Sequence, residues 1–390
     1  MSKFLNRLSG NLTLFAAVLV VSSSGLAQDA VRSLGPGPVI VQSKFGGQIF
    51  GFDIDQNGTQ GVLSEAQFLE SGKILAAVET FDQATGKILK VVKKIQSKDD
   101  FLTLGVVGAG VGMVEREHVK SIFVDSRIYS LINPLATHKF NGTWTPPLTK
   151  DDILTSVSRL QGTTTAFLGF ENTGDDHTFV FGSDVAANTF GPITILPDNP
   201  FFFANEPLVA YDAKNNRAVV AASDGTVGGP PPVIALVDLV KGTFTQFMGI
   251  HGPPPFRQGF INGLAVDSDD QIAVTTTEVD FRVEFYNLKK KTGFAVELPG
   301  ATGQLQSGGD VAYDPLHKLF LVAQEVSSTG PGSSIHVYDI KGNLVESLDG
   351  FHFSNASNVV RTHIALHPAD RTGYIDGPDP GVTQLQSFTY

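Results

Sequence analysis

The chain has 390 residues, no cysteine, a formal net charge of −11, and only 17% charged residues beside 41 Gly and 21 Pro. The lack of cysteine excludes disulfides, and an acidic chain is a poor candidate for binding nucleic acid or an anionic membrane. Abundant Gly and Pro with few charges is typical of many strands joined by tight turns, so we expect a stabilising core built from sheets.

The first element in chain order is a predicted secretory signal peptide at residues 1–27. Lys3 and Arg7 supply its basic part, residues 12–21 are apolar, and Gly25–Ala27 supplies the small residues of a cleavage site. The apolar run is about half the ~20 residues that a membrane-spanning helix needs, although an uncleaved anchor is the alternative. We therefore predict export to a periplasm or the extracellular space, without membrane insertion.

A candidate calcium loop follows the strand predicted at residues 49–54. Asp53, Asp55 and Asn57 alternate and precede a glycine, as in the first half of an EF-hand-like loop, which would bind a divalent cation such as Ca²⁺. The closing glutamate expected at the twelfth position is Ser64, and no helix precedes the loop. An Asn-Gly pair between two strands is also a strong hairpin signal, so an ordinary turn is the competing interpretation.

A short strand that ends in a turn recurs about every 50 residues through the second half of the chain, and each copy precedes further strand-like runs. The copies are Leu208–Asp212, Leu264–Asp267, Val311–Asp314 and Ile364–His367. In three of these repeats the third strand closes on Asp238, Asn287 or Asp339. A repeat of this length made only of strands predicts the blades of a β-propeller.

The remaining blades are less regular in sequence. Two fit between residues 49 and 144, where the Gly-rich stretch 101–117 could instead hold a helix, and another spans residues 166–196. The last repeat has three strands, and residues 38–42 form a strand that could complete it and close a ring. We therefore predict an all-β, seven-bladed β-propeller of four-stranded antiparallel blades, forming one monomeric domain over residues 28–390.

The best-preserved repeat resembles known propeller repeats. Asn262–Val274, with its Asn-Gly-Leu-Ala-Val-Asp start and β-branched second strand, is similar to the consensus of NHL-type and YVTN-type repeats. The resemblance covers the C-terminal half of the chain best. It implies a propeller fold, but these families share no single activity.

Four residues stand directly before the predicted inner strands, where a propeller's loops line one mouth of its channel: Glu206, Asn262, Asp310 and His363. Carboxylates, an amide and an imidazole from four blades could bind a divalent cation or a polar ligand. They could equally be polar because they face water. The leading interpretation is a non-catalytic scaffold that binds a protein, peptide or small polar ligand at this mouth.

An enzyme is the alternative. Asn262–Leu264 resembles the Asn-Gly-Leu element of the gluconolactonase/regucalcin family, which implies a metal-dependent lactonase-like hydrolase. In that family a Pro-Asp-Gly element supplies a metal-binding aspartate, whereas here Gly308–Asp310 has its acid displaced by one position. The family's Glu-Gly-Pro element is echoed only by Glu206–Pro207, in a different blade.

Overall fold

Strands make up nearly all of the regular structure in the computed structural model, beside short 3-10 helices. The structure describes residues 34–56, 58–108, 111–120, 123–144, 152–157, 165–172, 177–184, 189–190, 194–196, 205–223, 231–250, 261–277, 282–300, 306–326, 333–351, 362–376 and 384–390. Within these ranges no helix has the length and apolar character needed to span a membrane. The predicted signal peptide lies outside them and stays a prediction.

The described strands form antiparallel sheets, six with four strands and one with five. β1 (Gly35–Gln42) comes first, and sheet 1 follows with β2 (Gln48–Ile54), β3 (Gln60–Phe68), β4 (Ile74–Asp82) and β5 (Ile88–Ser97). Sheet 2 consists of β6 (Asp100–Gly108), β7 (Val111–Lys120), β8 (Phe123–Ile132) and β9 (Gly142–Trp144). Sheet 3 consists of β10 (Asp152–Val157), β11 (Thr165–Asn172), β12 (His177–Asp184), β13 (Thr189–Phe190) and β14 (Thr194–Leu196).

The later sheets repeat the four-strand order. They are sheet 4, β15 (Asn205–Asp212), β16 (Arg217–Ser223), β17 (Val233–Asp238) and β18 (Thr243–Met248); sheet 5, β19 (Ile261–Asp267), β20 (Ile272–Thr277), β21 (Arg282–Asn287) and β22 (Thr292–Glu297); sheet 6, β23 (Gln306–Asp314), β24 (Leu319–Val326), β25 (Ser333–Asp339) and β26 (Leu344–Phe351); and sheet 7, β27 (Ile364–His367), β28 (Thr372–Asp376) and β29 (Gln384–Thr389) with β1.

The predicted strand repeats are confirmed, with two refinements. In the Gly-rich stretch 101–117, residues 101–108 and 111–117 lie in the paired strands β6 and β7, so the helical alternative is wrong for them. The strand predicted at residues 166–171 is the second strand of sheet 3, because β10 precedes it and pairs with it.

The strand predicted at residues 38–42 pairs with the last strand of the chain, as expected. In register, Gly35 lies opposite Thr389 and Gln42 opposite Gln384. The N–H of Val39 also donates to Ser387 Oγ at 3.0 Å. This pairing gives sheet 7 its fourth strand.

Burial explains the composition of the strands. In β16 and β17 nearly every side chain is buried, and the residues are mostly Val, Ala and Ile, as expected where both faces of a strand are covered. The outermost strand β18 has no fully buried side chain and carries Thr and Gln among its apolar residues. Sheet 4 therefore runs from a covered interior to a partly solvated edge.

The apolar cores lie between neighbouring sheets. Phe285 of sheet 5 packs edge-on against Phe320 and Tyr338 of sheet 6, and all three are at most 1% exposed. One core joins Val62 of sheet 1 to Val114 of sheet 2, and others join sheet 4 to sheet 5 and sheet 6 to sheet 7. A further core joins sheet 7 to sheet 1. Burying such a side chain contributes about 1.5–3 kcal/mol.

Tight turns after an aspartate end the first strands of sheets 4, 5 and 6. Asp267 Oδ1 accepts from the N–H groups of Asp269 and Asp270 at 2.9 and 3.2 Å, which replaces backbone partners at the strand end. A left-handed residue then completes each turn: Asn216, Gln271 and Lys318. Because this chemistry is local, it explains why the strand-plus-Asp pattern recurs. We call this end of the sheets the turn end.

Candidate functional site

A β-bulge interrupts the first strand of sheets 1 to 6, and in sheets 1, 4, 5 and 6 it lies in the part of the strand away from the turn end. The register shifts between Ile49 and Gly51, Leu104 and Val107, Leu154 and Ser156, Asn205 and Leu208, Ile261 and Gly263, and Gly308 and Val311. A bulge redirects the side chain that it leaves without a cross-strand partner. Three of the predicted mouth residues, Glu206, Asn262 and Asp310, occupy such positions. We call this the bulge end.

Asn262 connects sheet 5 to sheet 6. Its Nδ2 donates to the carbonyl oxygen of Gly308 at 2.9 Å, across the gap between the two first strands. The next residue, Gly263, leaves no room for a side chain, because a Cβ there would lie 2.6 Å from the backbone nitrogen of Val311. The Asn-Gly pair therefore has a structural role at this sheet boundary. The Asn262 amide links the two sheets, and Gly263 lets their backbones approach closely.

Asp310 connects sheet 6 to sheet 7 in the same way. Its Oδ1 accepts from the N–H of Val311 at 2.9 Å, and its Oδ2 accepts from the N–H of Ile364 at 2.9 Å. Both carboxylate oxygens thus bind backbone N–H groups, one within the strand and one on the neighbouring first strand. A metal ion at this carboxylate would have to compete with both hydrogen bonds.

His363 precedes β27 and turns toward its own sheet. Its N–H donates to Asp376 Oδ1 at 2.6 Å, and its Nδ1 lies 3.3 Å from Asp376 Oδ2. Asp376 is 3% exposed, whereas the His363 side chain is 30% exposed. The buried carboxylate holds the accessible imidazole in one orientation.

The predicted mouth residues thus lie at the same end of sheets 4 to 7, and two of them, Asn262 and Asp310, link neighbouring sheets. Among the side chains that the structure describes, no cluster of three or more His, Asp or Glu could hold a metal ion. The backbone of Glu206 lies in β15, and its side chain is outside the described residues. Metal or ligand binding by these four residues stays a prediction.

The candidate calcium loop forms the turn between β2 and β3. Asp55 N–H donates to the carbonyl oxygen of Gln60 at 2.9 Å, which closes the turn. Gln83 Nε2 donates to the carbonyl oxygens of Asp55 and Gln60 at 2.9 and 2.8 Å. Asp53 is 3% exposed, and its Oδ1 accepts from the N–H of Ile54 at 2.9 Å. Asn57 lies outside the described residues. Calcium binding here also stays a prediction.

The sequence interpretation missed a set of buried polar side chains on the third strands. Glu79, Glu284 and His336 each stand three residues before the residue that closes the third strand, and all are at most 2% exposed. That shared spacing is the signal that could have identified them. Glu284 Oε2 accepts from Thr275 Oγ1 at 3.2 Å and also from the hydroxyl of Tyr286.

His336 belongs to a buried hydrogen-bond chain. Its Nδ1 lies 2.9 Å from Ser347 Oγ, and its Nε2 is bonded to Gln324 Oε1. Burial lowers the pKa of His336 to about 4, because the charged imidazolium would lose its hydration, while the charge of Asp349 opposes this shift. The ring is therefore neutral at pH 7 and acts as a hydrogen-bonding group of the core.

Structural comparison identifies the fold. No family model matches the chain, and no curated protein shows significant sequence similarity to it. "Structure of U3-55K" aligns at a TM-score of 0.60 and 12% identity, over 91% of this chain and 100% of that one.

Two further solved structures align over similar lengths. The Cps50 (Swd1) β-propeller domain of Myceliophteria thermophila gives a TM-score of 0.57 at 10% identity over 90% and 98% of the two chains. A chain of the "Mitotic Checkpoint Complex" gives 0.58 at 11% identity over 93% and 94%. At such low identity these likenesses bear on the fold alone, and the chain has the all-β fold of β-propeller proteins.

Proposed function

We propose that this protein is an exported, seven-bladed β-propeller that binds a protein or polar ligand at its bulge end without catalysing a reaction. The blade number is supported by seven sheets within the described residues. Ring closure is supported by the pairing of β1 with β29, and by Phe52 and Leu63 of sheet 1, which pack in one core with Tyr374 and Leu385 of sheet 7.

Export is part of the proposal because the basic, apolar and small-residue segments stand in signal-peptide order at residues 1–27. We expect the protein recovered from cells that produce it to begin at Gln28. Mass spectrometry of its N-terminal peptide, together with cell fractionation, measures this. Recovery of Met1 or of Lys3 in the mature protein would contradict export by cleavage.

One observation carries the binding role: two of the polar side chains of the bulge end are bonded to the backbone of the next sheet. Asn262 and Asp310 use their polar atoms to join sheets 5, 6 and 7, which favours a rigid frame over a reactive centre. The same end receives the connections that enter each first strand, and loops on a rigid scaffold are frequent binding sites. The turn end, by contrast, is joined by short hydrogen-bonded turns.

The test compares connections at the two ends. We expect replacement of residues 251–256, the Pro-rich connection into sheet 5, by Gly and Ser of equal length to abolish capture of the partner from the native extract. Melting should stay within a few degrees of the parent. The matched control replaces Lys289–Lys291, a turn at the other end, by Ser. Capture that survives the first change, or fails only with the second, would contradict a binding site at the bulge end.

A further inference from the structure

Two buried glutamates face each other diagonally in sheet 1. Glu65 on β3 and Glu79 on β4 are 1% and 0% exposed. Glu79 lies directly opposite Leu63, which stands two residues before Glu65, so both carboxyl groups project from the same face. Leu63 packs in the core shared with sheet 7, so this face is turned toward the strands that the chain end completes.

The segment 43–47, which joins β1 to β2, covers these glutamates with hydrogen-bond donors. Glu65 Oε2 accepts from Ser43 Oγ at 2.7 Å and from the N–H of Gly47 at 2.9 Å. Glu79 Oε2 accepts from the N–H of Lys44 at 3.0 Å. The pair therefore fixes the segment that connects sheet 7 to sheet 1.

The second oxygen of each carboxyl group lacks a hydrogen-bond partner. Glu65 Oε1 and Glu79 Oε1 are both buried and unpaired among the residues that the structure describes. A buried carboxylate oxygen without a hydrogen-bond partner destabilises the folded state, and two such carboxylates also repel each other. A group that carries a hydrogen-bond donor or a positive charge is needed between them.

Sheet 6 shows how the same positions are satisfied elsewhere in the molecule. Gln324 lies opposite Ser334, and His336 follows Ser334 by two residues. In sheet 1, Glu65 lies opposite Ala77, and Glu79 follows Ala77 by two residues, so the register is the same. In sheet 6, Gln324 Oε1, which is a hydrogen-bond acceptor, bonds directly to the ring nitrogen Nε2 of His336. In sheet 1 both partners are carboxyl groups, so the corresponding contact requires a proton.

We propose that Glu65 and Glu79 share one proton near neutral pH, and that this proton makes the attachment of segment 43–47 to sheet 1 sensitive to pH. One carboxylic acid then donates to the other carboxylate, which satisfies both free oxygens. A calcium ion is disfavoured because it takes about six to eight oxygen ligands. The described side chains here offer two carboxylates and no larger acidic cluster.

Burial and the neighbouring Glu65 carboxylate favour a retained proton on Glu79, whereas Lys44 opposes it. Burial raises the pKa of Glu79 to about 7, the N–H of Lys44 lowers it, the charge of Glu65 raises it, and the charge of Lys44 lowers it. On β5, Lys94 stands over the ring of Phe45, with Nζ 4.3 Å from the ring centre. β1 and β29 carry no ionisable side chain.

β28 contributes two ionisable groups to sheet 7. Burial raises the pKa of Tyr374 to about 12, so its hydroxyl stays neutral. Asp376 is bonded to His363. The folded state therefore holds a proton on the Glu65–Glu79 pair that the unfolded chain releases above pH ~4.5. The folded state loses stability as pH rises from there through about 7.

The experiment is a melting series of the purified protein from about pH 5 to 8, in parallel for the parent, Glu79→Gln and Glu70→Gln. Glu70 is an exposed glutamate near the same strand, so its variant controls for the loss of a charge. We expect the parent Tm to fall by about 5 °C more over this range than that of Glu79→Gln, whose amide donates without titrating. Glu70→Gln should follow the parent.

Infrared spectroscopy of the folded parent keeps the test decisive if Glu79→Gln does not fold. The carbonyl band of a protonated carboxylic acid should be present at pH 6 and lost as the pH rises above about 8. Absence of that band at pH 6, or equal pH dependence of the parent and Glu79→Gln, would overturn the shared proton. A parent Tm that rises with added Ca²⁺ at fixed pH, while Glu79→Gln does not respond, would assign the pair to a cation and also overturn it.

Discussion

Replacement of Asp314 by alanine is expected to lower the free energy of unfolding by about 3–5 kcal/mol. Asp314 is fully buried, and its Oδ1 accepts from the N–H groups of Leu316 and His317 at 2.8 and 3.1 Å. Its Oδ2 accepts from the hydroxyl of Tyr390 at 2.9 Å and lies 2.7 Å from His317 Nδ1. The variant leaves the buried hydroxyl of Tyr390 without its acceptor at the boundary of sheets 6 and 7. Urea unfolding of both proteins measures the loss.

Asp238→Ala is the matched control for this prediction. Asp238 makes the same kind of turn, since its Oδ1 accepts from the N–H groups of Val240 and Lys241, each at 3.0 Å. Its side chain is 36% exposed, so water can replace the carboxylate, and we expect a much smaller loss than in Asp314→Ala. Similar losses in the two variants would mean that turn formation, and not burial of Asp314, sets the effect.

The turn end could be predicted from the sequence because its chemistry is local. An aspartate that accepts from N–H groups two and three residues later specifies its own turn, wherever the strand lies in the fold. That is why the strands ending at Asp212, Asp267 and Asp314 were recognised, and why Asp238 and Asp339 marked the ends of third strands. The strand at residues 38–42 was also predictable, because the last repeat lacked one partner.

The bulge end depends on contacts that the sequence does not display. Spacing alone placed Asn262 and Asp310 before their strands, and we therefore predicted that they could bind a cation or a polar ligand. Whether such a side chain faces a channel or the next sheet depends on the bulge register, which shifts between Ile261 and Gly263 and between Gly308 and Val311. The partners of these side chains lie about 50 residues away in sequence, so no local pattern could show them.

The Glu65–Glu79 pair was hidden for a related reason. Both residues sit inside strands whose neighbours are buried, so each looks like a polar position of an alternating strand. Their proximity depends on the register of β3 against β4, and their burial on the packing of sheet 7 against sheet 1. In residues 101–117, frequent Gly weakened the alternation that identifies a strand, whereas β7 pairs along its length with β8.

Gly263→Ala should be as disruptive at the bulge end as Asp314→Ala is at the turn end. A Cβ at residue 263 would lie 2.6 Å from the nitrogen of Val311 and 2.8 Å from the carbonyl oxygen of Gly309, and backbone atoms cannot move aside like a flexible side chain. Sheets 5 and 6 would have to separate, which also weakens the bond from Asn262 to Gly308. We expect the free energy of unfolding to fall by about 3 kcal/mol in urea unfolding.

Hydrogen exchange locates the damage caused by Gly263→Ala, and a second glycine controls for the added methyl group. The amide of Val311, which donates to Asp310, should exchange faster in Gly263→Ala, while amides in the core between sheets 1 and 2 keep their relative protection. At Gly142 a Cβ would meet nothing closer than Leu131 Cδ1 at 3.6 Å, so Gly142→Ala should change stability by about 0.5 kcal/mol or less. If both variants unfold like the parent, the spacing of sheets 5 and 6 is not set by the contact at Gly263, and the Asn-Gly pair then requires an explanation in ligand binding.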